Sequence, residues 1–470
     1  MTCTQNLLLN TDSYKLSHAA QYPPGTTEVS SYIESRGGAL DEIVFFGLQA
    51  FLKSVLSKPI TRQDIDEAEA LALAHMGLFN REGWKVILER HNGFLPLEIQ
   101  ALQEGSVVSP GVPVVQVRNT DPDAFWLVSH IETALLRAVW YPSTVASVSF
   151  ACKRILRDFI ERTSDAPEAL LPLQLHDFGA RGATSDEAAG LGGLAHLVNF
   201  RGTDTLAALL VGRRHYGADV AGISIPASEH STMTSWGRDG VVDAYANMIR
   251  QFGGEGRVLA FVVDSYDLWN SVDEIVGKVL AENIRNTGGR VVIRPDSGVP
   301  EEVVPVVIER LMAAFGHTVN GKGYKVLPDF IRIIQGDGVT LDSLPRILKA
   351  MTDRGLSTEN AAFGMGGGLL QKVDRDTLRW AMKASQIVVR GQVREIYKDP
   401  VTDPGKRSKT GRQAVVEQAG RLAATREADL GGQENLLQTV WLNGVLKVET
   451  TLDQVRERAE ASLGALGGDQ

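Results

Sequence analysis

The sequence predicts an α/β protein whose centre is a barrel, or a wound sheet, of parallel strands and whose flanks form a second, β-rich domain. Three observations carry this. One grammar recurs seven times through the middle of the chain: a short apolar run, a turn of Gly, Asp and Ser, then a segment of helical composition. Both flanks carry short alternating runs punctuated by Gly, Pro and Asn. Between the first flank and the repeats lies one long stretch of helical character.

In chain order, residues 96–118, "PLEIQALQEGSVVSPGVPVVQVR", alternate as strands do. The stretch "TDPDAFWLVSHIETALLRAVWYPSTVASVSFACKRILRDFIERT" reads as long helices entering the barrel. The repeats follow. "LPLQL" leads into "HDFGARGATSDEAAG", "HLVNF" into "RGTDT", "VAGISIP" into "ASEHST" and "VLAFVV" into "DSYDLWN". "RVVI" then leads into "RPDSGVPEEV", "IRII" into "QGDGVTLDSL" and "AAFG" into "MGGGLLQK". Parallel strands with helical crossovers place the loops that follow the strands on one face, where a barrel builds its site. Residues 386–449, with "QIVVRGQVREIY" and "TVWLNGVLKVE", return to strands and carry an Asn-Gly hairpin signal at Asn443 and Gly444. The expected division is a discontinuous β-rich domain with helical segments from 1–145 and 385–470, around an α/β barrel at 146–384.

Composition narrows the function. A chain of 470 residues, 43% hydrophobic and 22% charged, buries a large core. Its net charge of −9 disfavours nucleic acid and membrane surfaces as partners, since both are anionic. Phosphate chemistry must then use local basic patches. With Cys3 and Cys152 as the two cysteines, a disulfide framework and a Cys-rich zinc site are excluded, and a reducing compartment follows. The N-terminus has no basic region leading into a long apolar one, and we expect a cytoplasmic protein.

Several post-strand loops carry chemistry. "RVVIRPDSG" ends a β-rich run on Arg294, Asp296, Ser297 and Gly298. A guanidinium grips phosphate or carboxylate, and a carboxylate holds magnesium or a ribose hydroxyl, although an ordinary Arg-Asp surface pair reads the same way. "QGDGV" at 335–339 and "FGMGGGLLQK" at 363–372 offer bare backbone N–H groups to phosphate, or simple tight turns. "YKDPVTDPGKRSKTGR" gathers Lys398, Lys406, Arg407, Lys409 and Arg412 as a phosphate clamp or a solvated face. "HDFGARG" sets the Phe178 ring near Arg181, a pairing that suits a flat heteroaromatic ligand bearing phosphate. In "SIPASEHSTMTSWG", His230 stands among hydroxyls with no second histidine or cysteine. Asp264, in the next repeat, is expected to orient it by accepting its Nδ1 proton, leaving a base or a nucleophile.

"NTDSYKLSHAAQYPPGTTEVSSYIESRGG", "HDFGARG", "HLVNFRGTDT", "IPASEHSTMTSWG", "IRPDSG", "IQGDGV", "FGMGGGLLQK" and "KDPVTDPGKRSK" together resemble, in order and spacing, the nicotinamide phosphoribosyltransferases, from about residue 7 to the C-terminal strands. The resemblance implies an irregular α/β barrel of the type II phosphoribosyltransferase kind, in homodimers with shared active sites. It implies transfer of phosphoribose from phosphoribosyl diphosphate to nicotinamide, with Mg2+, and with ATP as co-substrate phosphorylating His230. It further implies that Phe178, and Tyr14 of the partner subunit, sandwich the pyridine ring. Asp204 would accept the carboxamide N–H, with Arg294 nearby. Arg181 would bind the ribose 5-phosphate, Asp296 the ribose hydroxyls, and Asp12 would belong to the substrate site. Gly336, Asp337, Gly366 and Gly367 would line the phosphoribosyl pocket. Arg36, Arg375, Lys383, Lys398 and Lys406 would surround the diphosphate and nucleotide phosphates. Metal ligands are not implied. Ala381 and Ala260 depart from the serines the resemblance leads one to expect. A nicotinate-specific enzyme of the same fold is the nearest alternative; Asp204 disfavours it by setting two like charges face to face.

Overall fold

The computed structural model describes residues 6–402 and 406–465, so Cys3 lies outside the described residues. It divides into two compact units. One comprises Val148–Leu210 and Asp219–Val373; the other takes Met1–Ser147, Val211–Ala218 and Asp374–Gln470.

The first of these is built on six parallel strands: β1 Leu175–Asp177, β2 Gly202–Thr203, β3 Val258–Val262, β4 Arg290–Arg294, β5 Ile331–Gln335 and β6 Ala361–Met365. Their spatial order is β2-β1-β6-β5-β4-β3, every pair parallel. The open edges are joined by the segment between Ile223 and Ala227. Ile223 makes a parallel bridge to Gly202, and Ala227 makes one to Ala260. Thr203 N–H donates to Ile223 O at 3.1 Å, and Ala260 N–H donates to Pro226 O at 2.9 Å. Pro226 has no N–H to give, which fits a segment that pairs only at its two ends. The result is a barrel with one irregular side.

Alternation along the strands sorts the residues. Leu259, Phe261, Val291, Ile293, Ile331, Ile333 and Phe363 are completely buried. Helices such as Val241–Phe252 and Pro300–Phe315 pack on these strands. The opposite face forms a separate small cluster of Ala260, Val292 and Ile334, with Phe178, Ile225, Val258 and Ala362 partly buried against it.

Two expected strands do not form: "VAGISIP" gives only an isolated bridge at Ile223, with a second at Ala227 just beyond it, and "HLVNF" is a helix end. "HLVNF" closes the helix Asp186–His196 and continues as a turn, with Leu197 N–H donating to Gly193 O and Phe200 N–H to His196 O, both at 3.2 Å. The strand is the two residues Gly202–Thr203 inside "RGTDT". A short apolar run looks the same whether it enters a core as a strand or as a helix end.

The other unit holds a seven-stranded antiparallel sheet in the order Gln392–Glu395, Trp380–Val389, Thr26–Ser35, Pro113–Asn119, Leu97–Ala101, Gln438–Leu442 and Val445–Leu446. Strands from both ends of the chain therefore lie side by side. Asn443 and Gly444 turn the last hairpin with φ of 51° and 90°, the left-handed pair such a turn requires. Trp84, Trp380 and Trp441 are fully buried in this unit. Its boundary differs from the expected 385: the strand Trp380–Val389 pairs along its length with Thr26–Ser35, from Trp380↔Ser35 to Val389↔Thr26, so the chain has left the barrel by Asp374. Residues 211–218 also join this unit, where Gln49 Nε2 donates to His215 O at 2.6 Å and Tyr216 Oη to Glu104 at 2.7 Å. The other boundary falls inside the long helix Glu132–Thr163, whose Cys152 is buried and unpaired. Among the described residues no helix is long and apolar enough to cross a membrane.

Candidate active site

Parallel strands bring their carboxyl ends to one edge, and the candidate residues of the barrel follow those ends. Phe178 follows β1, Asp204 follows β2 and Asp264 follows β3. Arg294 ends β4, with Asp296 just beyond it. Gly336 and Asp337 follow β5; Gly366 and Gly367 follow β6. His230 follows the closing segment and opens the short helix His230–Thr234.

At this edge Phe178 lies half-buried over the small apolar cluster, with the Arg294 guanidinium 5.5 Å from its ring centroid. Gly364 makes the ring's position possible: a Cβ there would fall 2.0 Å from Phe178 Cε2. Gly336 does the same for Arg294, whose Nη2 lies 2.9 Å from where a Cβ would stand. Arg294 in turn grips Asp296, with Nε and Nη2 at 2.9 and 2.8 Å from Oδ1. Burial pushes the Asp296 carboxyl above the usual range, and Arg294 only partly opposes this. Asp204 N–H donates to Asp177 O at 2.9 Å, and its carboxylate accepts the Ser224 hydroxyl. Asp177 is buried and accepts from Gly179 N–H at 2.8 Å and Thr203 Oγ1 at 3.2 Å, so it holds the turn that presents Phe178.

His230 meets Asp264 at 2.8 Å, but through Nε2. The expected contact was through Nδ1. The ring leaves β3's neighbour in such a direction that its distal nitrogen reaches back to Asp264, whose side chain is 6% exposed against 46% for the imidazole. The surrounding hydroxyls serve the local fold: Ser228 Oγ accepts from Val262 N–H at 3.0 Å, and Thr234 Oγ1 donates to His230 O at 2.7 Å. Glu229 accepts the Ser231 hydroxyl and lies 3.5 Å from Arg181. Those two partners, Ser231 first, hold its carboxyl below the usual range. Arg181 is otherwise open, 82% exposed.

The other unit contains a cavity of about 710 Å³ lined by Arg36, Arg375, Arg379, Lys383, Lys398 and Lys406, with Asp376, Trp380 and Ala381. Burial lowers the Lys383 ammonium from the usual lysine range; Arg36, Lys398 and Arg375 lower it further, and Glu132 opposes them. Glu34, 3% exposed, accepts from Arg36 Nε at 3.1 Å and from Lys409. The basic loop therefore splits in its roles. Lys398 and Lys406 line the cavity, Lys409 joins Glu34, and Arg412 pairs with Glu427 at 3.1 Å. Arg379 and Glu34 escaped the sequence reading: Arg379 lies in no Gly-rich or basic run, and Glu34, although inside the stretch that ends in "ESRGG", is marked only by its partners Arg36 and Lys409. Tyr14, 58% exposed, has His18 edge-on at 5.2 Å, and Asp12 accepts from Thr133 Oγ1 at 2.6 Å.

Among the described residues, no group of three or more His, Cys, Asp or Glu is placed to hold a metal. The arrangement offers an aromatic face, an oriented imidazole, a paired Arg-Asp and a separate polycationic cavity.

Residues 173–444 match the nicotinate phosphoribosyltransferase (NAPRTase) family, and residues 6–99 match the nicotinamide phosphoribosyltransferase N-terminal domain. A nicotinamide phosphoribosyltransferase of Xanthomonas campestris pv. campestris is 53% identical, covering 97% of this chain and 98% of its own. One of Acinetobacter baylyi is 34% identical over 96% of each. Among solved structures, nicotinate-nucleotide pyrophosphorylase of Pyrococcus furiosus superposes with a TM-score of 0.65 at 16% identity, covering 100% of this chain and 99% of its own. Human nicotinic acid phosphoribosyltransferase superposes with a TM-score of 0.55 at 19% identity, covering 97% and 93%. These two share the fold.

Proposed function

The chain belongs to the nicotinamide phosphoribosyltransferase family and is a pentosyltransferase, and on that premise we propose that it moves phosphoribose from phosphoribosyl diphosphate to nicotinamide, coupled to ATP hydrolysis through a phosphohistidine at His230. The products of this reaction are nicotinamide mononucleotide and diphosphate, chemistry that suits a cytoplasmic enzyme of NAD salvage. The observation that carries the choice of base is the Asp204 carboxylate, fixed by the Ser224 hydroxyl on the edge that also presents Phe178 and Arg294.

The chemistry asks three things of the chain. Diphosphate departure leaves an oxocarbenium-like ribosyl centre, so leaving-group charge must be neutralised; Arg36, Arg375, Lys383, Lys398 and Lys406 supply it. The pyridine nitrogen must be held in line, which Phe178 does by stacking, with Tyr14 of the partner subunit on the other face of the ring in a homodimer. Ribose must be gripped by its hydroxyls and 5-phosphate, tasks for Asp296 and Arg181, with the backbone of Gly336, Asp337, Gly366 and Gly367 close by. Asp12 belongs to the same substrate site.

For the coupling, an imidazole that donates Nε2–H to Asp264 carries its lone pair on Nδ1. Nδ1 attacks the γ-phosphorus of ATP, the bond to the bridging oxygen breaks, and ADP leaves; water later returns the histidine and releases phosphate. Asp296 and Asp264 would face Mg2+, which would neutralise phosphate charge while keeping much of its water.

The test is one assay of nicotinamide against nicotinate with phosphoribosyl diphosphate, with and without ATP. Preference for nicotinamide and stimulation by ATP are expected. Equal or better use of nicotinate would overturn the assignment of base, and indifference to ATP the coupling.

A further inference from the structure

Among the described residues, Asn92, Arg379, Arg390, Ala419 and Asn443 are the non-glycine residues with left-handed φ. Four of them precede a glycine that is itself left-handed: Gly93, Gly391, Gly420 and Gly444. Those pairs are tight turns, and their geometry explains the conformation. Arg379, with φ of 49°, precedes Trp380 instead and needs another explanation.

Its backbone provides part of it. Trp380 N–H donates to Arg375 O at 3.0 Å, and Arg379 N–H donates to Asp376 O at 3.2 Å. These are the two bonds of a Schellman closure, in which the residue at the position of Arg379 must be left-handed and is usually glycine. The turn is locked from within by Asp374 Oδ1, which accepts from Asp376 N–H at 2.8 Å and Thr377 N–H at 2.7 Å. Leu378 and Trp380 on either side are buried, and Arg379 O accepts from Arg36 N–H at 3.3 Å. The conformation is thus imposed, and an arginine occupies a place where glycine would be less strained. Its side chain is exposed and lines the cationic cavity, as do Arg375 from the same turn and Arg36 from the bonded strand end.

We propose that Arg379 is a phosphate-binding residue of this cavity, kept at a glycine position because its guanidinium grips a phosphate group that the other cations do not saturate. The inference rests on reading the cavity as the phosphate site. A guanidinium provides a planar fork of donors matched to phosphate oxygens, and the same turn presents two of them, at Arg375 and Arg379. The strain is then the mark of function: an outlier held by its surroundings at a site where its side chain has work to do.

The experiment titrates inorganic diphosphate into the full chain by calorimetry, with Arg379→Gly, Arg379→Asn and Arg375→Ala beside the wild type, and follows thermal unfolding of each. Glycine and asparagine both accept the left-handed backbone. Arg379→Gly and Arg379→Asn should bind diphosphate about tenfold more weakly, as loss of one charge-assisted contact implies. Arg379→Gly should unfold at a midpoint no lower than the wild type. Affinity within about twofold of wild type in both Arg379 variants, with Arg375→Ala clearly weakened, would overturn the role of Arg379 and leave the cavity reading standing. If Arg375→Ala were also unaffected, the cavity reading itself would fall. Weaker binding accompanied by a lower unfolding midpoint in both Arg379 variants would make the residue structural and overturn the proposal.

Discussion

His230 and Asp264 meet through Nε2 at 2.8 Å, which assigns the accepting lone pair to Nδ1. Label from γ-phosphate ATP should therefore appear on His230 as an acid-labile, base-stable phosphoramidate and vanish in His230→Ala. Asp264→Asn keeps the shape but no longer fixes the tautomer, so labelling should slow by roughly 10²–10⁴-fold, as for other carboxylate-oriented imidazoles. Rapid-quench measurement of the labelling rate checks this. An unchanged rate would remove Asp264 from the mechanism.

Asp204 is the residue proposed to set amide over acid. A carboxamide N–H donated to a carboxylate contributes roughly 1.5–3 kcal/mol, and nicotinate replaces that bond with a repulsion. Wild type should discriminate by at least about a hundredfold. Asp204→Asn should lose most nicotinamide efficiency and gain on nicotinate in relative terms. The ratio of kcat/KM for the two bases is the quantity to measure, and an unchanged ratio would place selectivity elsewhere.

Gly364→Ala should displace the Phe178 ring, since the new Cβ would fall 2.0 Å from Cε2. Loss of a stacking face is worth about 0.5–1.5 kcal/mol, so KM for nicotinamide should rise by up to about tenfold with diphosphate binding intact. A variant with wild-type KM would mean that the base does not lie on Phe178.

Lys383 should take up a proton when diphosphate binds. Its ammonium is lowered by burial and by Arg36, Lys398 and Arg375, so it deprotonates earlier than an ordinary lysine as pH rises. A bound phosphate favours the charged form and restores the proton. Calorimetry in two buffers of different ionisation enthalpy, on the alkaline side of neutrality, should show net uptake that Lys383→Met abolishes. Uptake that persists in the variant would assign it to another group.

Mixing Tyr14→Ala with Arg294→Ala, each inactive alone, should restore part of the activity, because a shared site gives mixed dimers one site with neither lesion. Proven subunit exchange without recovery would count against sharing.

Much of the site's location was legible, because strands such as "VLAFVV", "RVVI" and "IRII" are long enough to read and the polar groups follow them directly. What could not be read depends on partners distant in sequence. Gly202–Thr203 is too short to carry a period, and "HLVNF" is apolar for the sake of a helix end. Gly364 matters only because Phe178 lies over it, and Glu34 only because Arg36 and Lys409 converge on it. The choice of Nε2 over Nδ1 is a matter of ring orientation, which no spacing encodes.

The barrel's irregular side has a mechanical meaning. The segment from Ile223 to Ala227 is bridged to the ladders beside it at its two ends alone, through Gly202 and Ala260. Such a seam opens by breaking few backbone bonds, while the neighbouring strands keep theirs. Ser224, which holds Asp204, lies on this seam, and His230 begins three residues beyond it. The residue that fixes the Asp204 carboxylate and the residue that leads into His230 thus belong to one short length of backbone, held to its neighbours by few bonds.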